Sequence, residues 1–170
     1  TSNAPLRGGK GYQWEGGIKV PFLIHVPGMN SRKIDNPVIG MDFYPTLLAL
    51  TNLPQMPNQH FDGINLMPLM KGEKLLERNL YWHYPHYGNQ GGEPSSIIRS
   101  GDWKLIHYWE DEHSELYDLT SDASERKDLA LKKRKLTAEM ENELMSWLTE
   151  TKAILPSFDP EYDMMKRQKV

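Results

Sequence analysis

Four short strand-like runs followed by a single helical stripe constrain this chain more than any other feature of its sequence. The runs are Leu80 to Tyr84, Ser96 to Ser100, Trp103 to Tyr108 and Glu115 to Leu119. Gly91-Gly92, Gly101-Asp102 and the acidic stretch Glu110 to Glu112 separate them. Arg99-Ser-Gly-Asp-Trp103 predicts a tight hairpin, because Gly101 can supply the positive φ that a two-residue loop needs. Turn signals at this spacing make a small antiparallel sheet. Leu136, Met140, Leu144, Trp147 and Leu148 then fall at i, i+4, i+8, i+11 and i+12. That is one apolar face of a helix running to about Lys152, and it should lie across one face of the sheet.

The first half is looser. Ile18, Val20, Phe22, Ile24 and Val26 alternate with other residues and predict a strand, which Pro21 pushes toward a strand start or an edge. Asp42 reads as an N-cap and Pro45 falls in a first turn, so a helix is expected over about 42–51. A Pro- and Asn-rich loop over 53–65 precedes a short apolar turn, Leu66 to Met70, ended by Gly72. The charged segment Lys71 to Arg78 suggests a division into residues 1–72, residues 73–155 and a tail over 156–170.

Composition excludes several classes. The chain has 170 residues, with 20 Lys and Arg against 23 Asp and Glu, a net charge of −3. A pI near 6.1 argues against a sequence-independent nucleic-acid binder, which needs a dense basic field. No apolar run reaches the ~18 residues of a membrane-spanning helix. Cysteine is absent, which removes disulfides, thiol catalysis and zinc-thiolate sites together. At this length a chain buries about 70% of its unfolded surface, enough for one sizeable core.

The segment richest in chemistry is Arg7-Gly-Gly-Lys10-Gly11-Tyr-Gln-Trp-Glu15-Gly-Gly17. Glycine-rich backbone can turn several N–H groups toward an anion, and Lys10 adds a full positive charge. The spacing is not that of a nucleotide P-loop, since Gly11 and Tyr12 follow the lysine. From the residues alone, an oxyanion site and a plain flexible turn stand level. A functional-looking loop at the start, with nothing in view to hold its other side, suggests a piece of a longer protein.

Pro5 to Gly11, Glu15 to Pro21, Asp42-Phe-Tyr-Pro-Thr-Leu-Leu48, Asp62 to Gly72, and Glu115-Leu-Tyr-Asp-Leu119 with Glu125 occur in one order along the chain. Together these blocks resemble the C-terminal third of the type I sulfatases of the alkaline phosphatase superfamily. The resemblance implies an α/β architecture, here an α+β fragment. Residues 1–72 would be the edge of the catalytic α/β domain, and residues 73–155 a small antiparallel subdomain packed by a long C-terminal helix. It implies a sulfuric ester hydrolase acting on a sulfated small molecule or carbohydrate, with a periplasmic or secreted location. It also implies that the formylglycine nucleophile and the calcium site lie in the upstream remainder of the catalytic domain, so this chain alone is expected to be inactive. No metal ligands are assigned in this chain. The family lysine that contacts the sulfate and the bridging oxygen matches Lys10. Tyr12 and Lys19 depart from the usual Thr or Ser and Arg of the family.

The second candidate is Leu80-Tyr-Trp-His-Tyr-Pro-His-Tyr-Gly88. His83 and His86 have a spacing that could bind metal on a helix, but Pro85 between them opposes a helix and no further ligand is near. Tyr81 and Trp82 fit a packed strand. By resemblance to bacterial sulfatases, His86 and less directly His83 are expected to contact substrate at the rim of the pocket. Arg7, Glu15 and Asp42 read as ion-pairing or capping residues. Two rivals stay open. One is a phosphoryl-transfer relative in which Lys10 holds a phosphate, and the other is a non-catalytic glycan-binding module using the aromatic cluster.

Overall fold

The computed structural model describes residues 2–157 and 160–161. Most of the tail expected over 156–170, with Met164 and Met165, therefore lies outside the described residues. The chain forms two compact units, residues 1–21 with 78–170, and residues 22–77. The grouping differs from the 1–72 and 73–155 division. The opening loop belongs with the sheet rather than with the helices that follow it in sequence.

The sheet unit holds four strands, β1 (Asn79–Tyr84), β2 (Ser95–Ser100), β3 (Trp103–Tyr108) and β4 (Ser114–Asp118). They pair antiparallel in sequence order, β1-β2-β3-β4. Ser100 pairs with Trp103, so Gly101 and Asp102 are the hairpin loop, and Gly101 has φ +58° as its turn requires. Each strand thus lies beside its sequence neighbour, the simplest way to satisfy backbone donors and acceptors.

Alternation along the strands makes two apolar faces. Ile98, Leu105 and Leu116 point to one face, where Met140, Leu144 and Leu148 of α4 (Arg134–Glu150) cover them. The stripe read from the sequence is thus the buried stripe, with Trp147 stacked on Tyr81 at 4.6 Å between ring centroids and a 3° interplanar angle. Ile97, Ile106, Tyr108 and Tyr117 point to the opposite face. There the cover is not a helix but the opening segment, through Trp14 with Tyr12. Both central strands are consequently buried on both sides, and β3 reads half-buried Trp103, then five buried residues.

Residues 18–26 are not a strand. Residues 15–18 form a single helical turn, α1 (Glu15–Ile18), and the segment beyond Lys19 has no regular structure. Val20 is 76% and Leu23 89% exposed. The alternation is present in the residues, but a strand exists only with a neighbouring strand to receive its hydrogen bonds, and none pairs with it among the described residues.

The second unit contains a 3-10 turn (Gly40–Asp42), α2 (Phe43–Leu50) and α3 (Met67–Lys71). The helix expected at 42–51 is present, but Asp42 does not cap it from its own N-terminus. Its buried carboxylate accepts from the Ile39 amide at 2.9 Å and the Ile64 amide at 3.0 Å, tying the loop 53–65 back to the helix start. Thr46 continues the tie, donating to the Asp42 carbonyl and accepting from the Leu66 amide.

Candidate functional site

The Gly-rich loop is closed by backbone contacts. The Gly16 amide donates to the Arg7 carbonyl at 2.9 Å and the Tyr12 amide to the Gly9 carbonyl at 3.0 Å. Its far side sits on the turn that follows the His83–His86 segment. A Cβ on Gly92 would stand 2.1 Å from the Gly11 carbonyl oxygen, and Gln13 donates to the Glu93 carbonyl at 2.6 Å. Only a residue without a side chain allows that approach. The loop carrying Lys10 therefore packs against the turn that follows the segment carrying His86.

Lys10 itself is exposed, and among the described residues its ammonium has no hydrogen bond or ion pair. That differs from the other charges around it. Arg7 donates to the Tyr117 hydroxyl at 2.9 Å and the Glu125 carbonyl at 3.0 Å, and its guanidinium lies 3.6 Å from the Trp14 ring centroid. Glu15 is buried and contacts the ammonium of Lys104 at 3.2 Å and Arg99 at 3.8 Å. Both residues are structural, as their positions beside glycine suggest.

The two histidines separate. His83 stands in β1 opposite Ser96, and both of its ring nitrogens are engaged, Nδ1 with Ser96 Oγ at 2.7 Å and Nε2 with the Ile154 carbonyl at 2.9 Å. A carbonyl only accepts, so Nε2 carries the proton; in the neutral ring Nδ1 then accepts from the Ser96 hydroxyl, whose oxygen also accepts from Trp109 Nε1 at 2.9 Å. The direct substrate contact expected of His83 thus meets a ring already committed within the fold, holding β1 to β2 and to the chain beyond α4. His86 is exposed and meets the Tyr84 ring edge-to-face at 5.5 Å.

Buried beneath the loop is a knot of charge that the sequence did not announce as a site. Lys104, fully buried on β3, lies 2.7 Å from Oε1 of the equally buried Glu125. Oε2 of Glu125 accepts the Glu15 amide. Burial outweighs the Lys104 ammonium and pushes the Glu125 carboxyl above its usual range. The one available signal was a lysine inside the apolar run Trp103 to Tyr108. Among the described residues no group of three or more His, Asp or Glu side chains is arranged to hold a metal ion.

The sequence and the fold both find relatives. The family model described as N-sulphoglucosamine sulphohydrolase, C-terminal, matches residues 9–153. A sulfatase of Formosa agariphila is 34% identical over 171 aligned positions, covering 90% of this chain and 31% of that protein. The Delta 4,5-hexuronate-2-O-sulfatase of Bacteroides thetaiotaomicron is 32% identical over 143 positions, covering 78% of this chain and 29% of its own length. The crystal structure of Ps i-CgsB in complex with k-i-k-neocarrahexaose superposes with a TM-score of 0.72 at 30% identity, over 94% of this chain and 35% of that one. The chain thus spans about a third of the relatives it matches. The match of that family model to residues 9–153 makes this chain a member of the N-sulphoglucosamine sulphohydrolase C-terminal family of sulfatases.

Proposed function

We propose that the longer protein to which this chain belongs hydrolyses sulfate esters of a carbohydrate, and that Lys10 contacts the sulfate and its bridging oxygen. The observation that carries the reading is an exposed ammonium without a partner among the described residues, at the tip of a loop whose stems are locked. An ammonium held in place interacts more strongly with the charge that develops on a leaving oxygen than with the ground-state ester, so it lowers the barrier rather than merely binding. His86, beside exposed Tyr84 and Tyr87, is proposed as a substrate contact, with the aromatic faces available to a sugar ring. A carbohydrate is favoured because one relative is named for a hexuronate 2-O-sulfate and one structural neighbour holds a neocarrahexaose.

The formylglycine nucleophile and the calcium ligands would come from the upstream part of the catalytic domain, whose edge residues 1–72 would complete. Action outside the cytoplasm, in the periplasm or after secretion, goes with that reading. This chain supplies a cation, a rim and the sheet that supports them.

In the complete protein, K10A is expected to lower kcat on a sulfated oligosaccharide by about 10²–10³, the scale of losing one charge-stabilising donor. An unchanged kcat removes Lys10 from the site. Preference for the phosphate over the sulfate ester in the same assay would favour the phosphoryl-transfer alternative. The 170-residue chain alone is expected to give no turnover, and a measurable rate would overturn the division of labour.

A further inference from the structure

We propose that Glu125 and Lys104 are positioning residues for Lys10, a buried ion pair on the sheet that fixes both stems of the Gly-rich loop. The inference rests on the reading of Lys10 as the sulfate contact. Arg99 and Lys104 stand directly opposite each other in the β2–β3 register, an arrangement that repels unless counter-charge is supplied. The counter-charge comes from outside the sheet. Glu15 reaches both cations, and Glu125 closes on Lys104 at 2.7 Å.

Glu125 then grips the loop at two places. Its main-chain carbonyl accepts from Arg7 at 3.0 Å, and its carboxylate accepts the amide of Glu15. It makes both contacts from a left-handed backbone conformation, with φ +50°. Ser124 adds a bond to the Pro5 carbonyl at 2.8 Å. Lys10 lies between the two gripped stems and is held by neither, so its place is set by theirs.

Stability alone gives a poor reason for such a pair, because replacing a buried ion pair by apolar residues of like volume is often neutral or stabilising. Positional control gives a better one. A carboxylate accepts through both oxygens, so Glu125 can face an ammonium and an amide N–H at once. A glutamine of the same shape has one accepting oxygen, and one of those two contacts must become donor against donor.

The test uses the complete sulfatase, with E125Q as the principal variant and E125A beside it. In E125Q, amides of residues 12–18 are expected to exchange hydrogen at least 10-fold faster while those of β1 keep their protection. Activity of E125Q and E125A on the sulfated oligosaccharide should fall about 100-fold in kcat, the scale of a displacement near 1 Å. The double variants K10A/E125Q and K10A/E125A should be no slower than K10A alone within about twofold, since a misplaced lysine and a missing one cost the same. Losses that multiply would show Glu125 acting independently of Lys10 and overturn the proposal. Unchanged exchange over residues 12–18 would also overturn it. Faster exchange combined with a neutral K10A would leave the loop anchor standing and sink the reading of Lys10 instead.

Discussion

The Cβ that Gly17 lacks would sit 1.9 Å from the carbonyl oxygen of Tyr12 and 2.7 Å from that of Gly9. Both obstacles are backbone, so no side chain can swing aside, and the loop carrying Lys10 would have to open. An ordinary helical Gly→Ala exchange gains roughly 0.5–1 kcal/mol. At Gly17 the sign is expected to reverse, with G17A losing about 1–3 kcal/mol as overpacked sites do, measured by urea unfolding. A gain would mean the loop is not closed as described. His107 offers a second check at this scale. Burial lowers its pKa below the usual imidazole value, more than the nearby carboxylates raise it. The unfolded chain therefore takes up a proton that the folded one refuses, and this contribution to stability is lost as pH falls from about 6.5 toward the folded value. An NMR titration should place the His107 midpoint in the folded protein below that of the unfolded chain, and a midpoint at or above 6.5 would contradict it. Lys10 was legible as a residue because glycine flanks it on both sides. Glu125 was visible only within a block of resemblance, since its partners Glu15 and Arg7 are 110 and 118 positions away and leave no local pattern.

Each element of the sheet unit is held chiefly by a neighbour in sequence or by one periodic stripe, and that is why it could be read from the residues. The four strands pair in order, and the stripe of α4 needs only a 3.6-residue period to declare its buried face. Leu144 is fully buried at the centre of that stripe, whereas Leu131, before the helix, is 80% exposed. L144A is expected to cost about 2–5 kcal/mol, and L131A to stay within roughly 0.5 kcal/mol. Equal effects in chemical denaturation would put the helix on the wrong face. The failure at residues 18–26 has the same physics in reverse. Alternation was present, but strand structure belongs to a pair of strands, and the residues supply only one member. The partners of His83 left no trace in the local sequence for a different reason: Ser96 and Ile154 come from across the sheet and from beyond α4.

For the sheet unit as a whole, the two faces are closed by unlike covers, a 17-residue helix on one side and an irregular, glycine-rich segment on the other. The second cover has little backbone regularity to hold it, so it relies on aromatic packing and charge, and those make it sensitive to alkali. Tyr108 and Tyr117 lie under it, and burial, reinforced by the Glu115 carboxylate, pushes both phenols far above their ordinary pKa near 10. Below that pH the phenols are protonated in folded and unfolded chains alike, and the stability they contribute is complete. Above it the unfolded chain releases two protons that the folded one retains, so stability falls by about 1.4 kcal/mol per pH unit for each, roughly 2.7 for the pair. The chain has eight tyrosines. An ultraviolet titration should therefore show Tyr108 and Tyr117 withheld until the protein unfolds, their absorbance rising together with the loss of circular dichroism. Y117F should flatten the alkaline slope by about half. Ionisation of all eight near pH 10 with the dichroism still native would mean that the opening segment does not close the face on which the lysine loop is seated.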